Sequence, residues 1–116
     1  RRIRFREIRG WENGPRGSFL LGIPERPIED ISFRNIHILQ QAAEGKPTRD
    51  ADFDEMRGVY PDAHMIDGTG PAPGYALWAR HVRGLYLTDY QVIPEGTEIR
   101  PAFAGSDAVL PAEERQ

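Results

Sequence analysis

Cysteine is absent from the 116-residue sequence. Its absence excludes a disulfide framework and any thiolate metal site, and leaves the redox compartment undetermined. Lysine is all but absent, Lys46 being the only one. No run of about 18 apolar residues exists, which excludes a transmembrane helix. No signal-peptide pattern is visible either. Apolar residues, at 39%, fall below the usual globular share. Ten prolines and twelve glycines point instead to many turns. The length bounds the chain to one domain at most. Because a strand pattern is already running at residue 3 and the first residue is arginine, the chain is expected to be a segment of a longer protein.

What is present is a repeated figure. In Ile28–Ile38, apolar side chains fall at Ile31 and Phe33, the alternation skips one beat, and it resumes at Ile36 and Ile38. Alternation of period 2 means a strand with one buried face. A one-residue slip means that the strand bends, so that both halves point at one core. The figure recurs in Val82–Val92, with Leu85 and Leu87 before the slip and Tyr90 and Val92 after it. It also opens the chain, as Ile3 and Phe5 followed by Ile8. The corners are the polar pairs Arg6-Glu7, Arg34-Asn35 and Thr88-Asp89. Asn35 and Asp89 occupy equivalent places, where short polar side chains satisfy turn N–H groups.

Between these bent strands lie shorter apolar runs and turns. Asn13-Gly14-Pro15 punctuates a turn within Trp11–Gly17, and Pro24 and Pro27 bracket another. Ser18–Ile23 reads as a short strand buried on a parallel stack. Tyr75–Trp78 reads as a strand, 79–81 as a turn, Pro94–Thr97 as a turn and Arg100–Gly105 as a further strand. From Gln40 to Pro73 the pattern is lost, and a loop of this length is usually functional or disordered. Residues 111–116 read as a frayed tail.

The spacing from Ile3 to Ile31 is 28 residues and from Ile31 to Leu85 it is 54, one step enlarged by an insertion. Repeats of this length with two or three strands each predict an all-β chain. The architecture expected is a segment of a right-handed parallel β-helix, a pectin-lyase-like solenoid of about three to four coils. It would cover 1–110 with a long inserted loop at 40–73. Open coil ends would leave strand edges able to associate end to end.

At this point the segments IPERPIEDISFRNIHI, Tyr60-Pro61, GYALWARHVRGLYLTDYQV and RPAFAGSD carry a resemblance. They are similar to the C-terminal coils of glycoside hydrolase family 28, the polygalacturonase-like enzymes, with the diagnostic parts at 17–39 and 74–107. The resemblance implies a parallel β-helix, inverting hydrolysis of pectic polysaccharide such as galacturonan, and a secreted or periplasmic parent. Family catalysis rests on Asn-x-Asp, Asp-Asp, Gly-His-Gly and Arg-x-Lys motifs, none of which occurs in this sequence. The resemblance therefore implies the end of such an enzyme without its catalytic carboxylates. A non-catalytic carbohydrate-binding or structural solenoid module is the alternative.

Candidate chemistry is correspondingly sparse. Inverting glycosidases need two facing carboxyls, but adjacent Glu29 and Asp30 point to opposite faces of a strand. Asp50-Ala-Asp-Phe-Asp54 has the 1-3-5 spacing of a calcium loop, yet Glu55 and Pro61 stand where Gly and Glu are needed. His37, His64 and His81 lack metal-ligand spacing. No metal and no cofactor is expected. Residues 1–16 carry six arginines against two glutamates, a local +4 that leaves −7 to the rest. Such a basic end could bind a polyanion, but its arginines alternate with Ile3, Phe5 and Ile8 and read as a solvated strand face. Neither nucleic acid nor membrane is an expected partner. For substrate binding the candidates are Tyr60 in the long loop, Trp78 as a stacking ring or a staple for that loop, Arg80 as a partner for a uronate carboxylate, and His81.

Overall fold

The structure is a computed structural model and describes residues 2–12, 17–42, 49–52, 55 and 72–110. The apolar alternation builds strands, as expected. β1 (Ile3–Glu12), β3 (Ile28–Gln41) and β5 (Val82–Glu95) are long; β2 (Phe19–Leu21), β4 (Leu77–Arg80) and β6 (Phe103–Ser106) are short. One 3-10 turn, Asp50–Asp52, stands between β3 and β4. The long strands form a first sheet in the order β1-β3-β5 and the short ones a second sheet, β2-β4-β6. Every pairing in both sheets is parallel. The chain is thus an all-β protein of two parallel sheets.

The three copies of the repeated figure pair in phase. Ile3, Ile31 and Leu85 stand in one row across the first sheet, Phe5, Phe33 and Leu87 in the next, and Ile8, Ile36 and Tyr90 after the slip. The slip itself is a single left-handed residue in each strand: Glu7, Asn35 and Asp89 have φ of 54°, 56° and 51°. One such residue turns the strand without breaking its ladder and returns the next apolar side chain to the core. Asn and Asp tolerate this conformation because their short side chains bond locally. Two further corners are built alike. Asp30 (φ 51°) lies beside Gly84 (φ 74°), and His81 (φ 52°) beside Asp107 (φ 53°). The positive φ of Gly84 favours glycine there, and a Cβ would stand 2.7 Å from the Asp30 carboxylate, which would have to move aside.

The core lies between the sheets. Buried Ile31, Leu77, Ala79 and Val82 pack with Leu20, Phe33, Leu85, Tyr90 and Phe103. An aromatic run crosses it: Phe5 stacks on Phe33 at 5.0 Å, and Phe33 meets the edge of Tyr90 at 5.8 Å. The Tyr90 hydroxyl donates to the Ala76 carbonyl at 2.8 Å, and burial pushes its phenol up to about 12.

Several boundaries differ from expectation. Ala79 and Arg80 belong to β4, and only His81 turns, because one left-handed residue suffices for the corner. β5 runs on through Pro94 to Glu95; a sheet-edge strand tolerates proline, whose missing N–H then faces no partner. β6 begins at Phe103 rather than Arg100: the Arg100 backbone N–H is taken by Glu98 Oε2, and Pro101 has none to give. Gln40 and Gln41 extend β3 into the loop expected at 40–73. Residues 43–48, 53–54 and 56–71 of that loop, the Asn13-Gly14-Pro15 turn and the tail 111–116 lie outside the described residues.

A charged clamp on the outer face of the second sheet

β4 is buried on both faces. Leu77 and Ala79 point into the core between the sheets, so Trp78 and Arg80 point the opposite way. A tryptophan and an arginine on an outer face need cover and hydrogen-bond acceptors if they are to be buried. The 3-10 turn supplies both. Asp50 Oδ1 accepts from Trp78 Nε1 at 2.7 Å and from Arg80 Nε at 2.9 Å, and Arg80 Nη2 donates to the Asp50 carbonyl. The guanidinium also stands 5.7 Å from the Trp78 ring centre, within cation–π range. Burial works against the Asp50 charge, but hydrogen bonds from Trp78, Arg80 and Ser106 outweigh it and hold the carboxyl below its ordinary value. Leu21, Ala72 and Phe19 close the apolar side of the same ring.

One residue on, the His81 corner carries a second group of charges. Its Nδ1 faces Asp107 Oδ2 at 2.6 Å, and its Nε2 faces the two Glu55 oxygens at 3.0 and 2.8 Å. Ionised carboxylates only accept, so the two contacts together favour the imidazolium, the form in which both ring nitrogens donate. The Asp107 bond above all, then Glu55, raises its pKa above the ordinary histidine value against the opposing effect of burial. Arg83 donates to Asp107 as well, at 3.0 Å, and with His81 holds that carboxyl below its ordinary value. A third pair, Arg100 with Glu98 at 2.7 Å, is almost wholly buried and reaches the Ala72 carbonyl.

Of the four expected site residues, Tyr60 lies outside the described residues. The fold brings the other three together on one strand end. Trp78 is 0% exposed and presents no ring face to a ligand. Arg80 is buried with its Nε and Nη2 given to Asp50. His81 is 7% exposed, between two carboxylates. As they stand, these groups hold Asp50 and Glu55 against the sheet, the stapling role that Trp78 offered. Sequence reasoning missed the acidic half of the clamp: Asp50, Glu55 and Asp107. The 1-3-5 spacing that starts at Asp50 fails the calcium-loop pattern, and its carboxylate meets a guanidinium on a strand instead.

The outer face of the first sheet is different. Asp89 accepts from Gln91 and pairs with His37 at 2.9 Å, which lowers its pKa. Trp11 is 66% exposed, and its Nε1 donates to Glu95 Oε1 at 2.8 Å across the intervening β3. On the other side of the corner, Arg4, Ser32 and Tyr86 share one row, and Arg6, Arg34 and Thr88 the next.

Among the described residues no group of three or more His, Asp or Glu side chains is placed to hold a metal ion, and no helix is long and apolar enough to cross a membrane. No protein-family model, curated protein or solved structure matches the chain.

Proposed function

We propose that this chain is the C-terminal part of a polygalacturonase-like glycoside hydrolase acting on pectic or related polysaccharide. In this reading the two parallel sheets are faces of a right-handed β-helix segment of about three to four coils, and the catalytic carboxylates belong to coils upstream. The observation that supports it best is the in-phase row of left-handed corners at Glu7, Asn35 and Asp89, set 28 and 54 residues apart on strands that pair in parallel. Successive coils of a solenoid need this: one strand added per coil, with the corner at a constant height. The clamp suits a scaffold role, since its carboxylates are engaged by basic side chains rather than facing one another across a cleft.

The reading has a direct test. The purified 116-residue chain should release no reducing sugar from polygalacturonate, whereas a longer chain carrying the upstream coils should. Hydrolysis by the short chain would overturn the placement of the active centre.

Exposed rings favour the second reading, a carbohydrate-binding module without turnover. The two tryptophans report on it separately, because Trp11 is exposed and Trp78 is buried. Titration with galacturonan oligomers should quench only the Trp11 emission if the first sheet binds. No change in either would leave a purely structural segment.

A further inference from the structure

Along the first sheet, apolar side chains point inward and polar ones outward until well past the corner, and there the pattern inverts. On β3 the polar Gln40 is 2% exposed, while its neighbour Leu39, on the outer face, is 43% exposed. The outward half of the inversion runs across all three strands, because Trp11, Leu39 and Ile93 stand opposite one another in one row. Ile93 is 54% exposed and Trp11 more so. Single apolar side chains at a surface are ordinary. A contiguous row of three, about 10 Å long across the strands, is the mark of a covered face.

The row is also held in place. Trp11 Nε1 donates to Glu95 Oε1 across β3, which fixes the indole over the face. An aromatic ring already fixed loses little further freedom when it is covered. The charges around the row are unequally placed. Arg9 stands exposed on β1, and Asp89 and Glu95 stand exposed on β5. His37 lies between them on β3 and pairs with Asp89. The face thus has an apolar middle, a guanidinium toward one edge and two carboxylates toward the other. Such a face complements its own reverse.

We propose that this face joins two copies of the chain about a two-fold axis running along β3. With the sheets face to face, about 10 Å apart, β1 of each copy lies over β5 of the other. Leu39 then meets Leu39 at the axis, Trp11 packs on Ile93 of the second copy, and Arg9 comes over Gln91, beside Asp89. A two-fold across the strands would instead lay β5 on β5 and bring the carboxylates of both copies together. The interface is small beside the roughly 800 Å² per partner of a standard one, so the dimer should dissociate at about 10 µM to 1 mM. The face points away from the core whether or not further coils stack on β1, so the proposal does not rest on the hydrolase reading.

Sedimentation velocity of the full chain across that concentration range tests it. The mass should rise from that of one chain toward that of two and no further, while the Trp11 emission shifts to the blue. L39K and W11K, both at exposed positions, should each weaken association by about tenfold or more. Y86K, before the corner on the same sheet, should not. Q91R sets a second arginine over Arg9 and should also weaken the dimer, and R9E combined with Q91R should restore it. A single mass throughout, growth beyond a dimer, equal association by L39K, or no rescue by the double change would each overturn the proposal. So would a galacturonan oligomer that quenches Trp11 in a chain that stays monomeric, since the face would then serve the glycan.

Discussion

The outer faces of the two sheets spend charge in opposite ways. On the second sheet, Arg80, His81 and Arg83 meet Asp50, Glu55 and Asp107 within hydrogen-bond distance, and the strand beneath them is buried. On the first sheet, Arg4, Arg6 and Arg34 stand on exposed strands beside one another. Buried charge needs partners because it has lost water, and removing one partner costs far more than the pair contributes. Exposed charge keeps its water, so its rows can be held open for something else at little cost. The difference identifies where this chain is stapled and where it is available.

The sharpest way to break that contrast is to remove Asp50. D50A removes the carboxylate that accepts from the buried Arg80 guanidinium and the Trp78 N–H, and should lower unfolding stability by about 3 kcal/mol. Urea denaturation followed by tryptophan emission measures it. A loss comparable with that of R34Q would mean that the two faces do not differ.

His81 supplies a pH signature. Its folded pKa is raised, so the contribution is fully present below the unfolded value of about 6.5 and is lost as pH rises through the folded value. Denaturation midpoints should therefore fall on the alkaline side of about pH 6.5. In H81N, whose asparagine tolerates the left-handed corner, that slope should disappear. A midpoint in the wild type that is flat from pH 6 to 9 would remove the imidazolium from the clamp.

The corners come next in size. Asn35→Val puts a β-branched residue at φ 56° and should cost about 1–2 kcal/mol, whereas Asn35→Gly should be near neutral. Thermal denaturation distinguishes the two, and equal effects would show that the conformation there is not what the side chain serves. Smallest of all, R34Q should change stability by no more than about 0.5 kcal/mol, in the stabilising direction, by relieving the Arg6 repulsion. A marked loss would reveal a hidden partner for that arginine.

How much of this was legible in the residues depends on distance along the chain. Each bent strand is announced by its own side chains: Ile31, Phe33, Ile36 and Ile38 locate both faces and the slip between them. The corner at Asn35 was readable because backbone conformation is a local matter. The clamp was not. Trp78 and Asp50 are 28 residues apart, His81 and Asp107 are 26, and no periodicity relates them. Alternation places Arg80 on an outer face, which ordinarily means solvent. Nothing nearby says that another segment covers it.

What the sequence by itself determined is therefore the set of strands, their bends and their mutual phase, since apolar alternation and left-handed-tolerant residues act within a few bonds. Only the tertiary structure decided which outer face is covered. That choice depends on where a distant carboxylate comes to rest, and it turned two identical-looking arginine faces into a staple on one sheet and an open surface on the other.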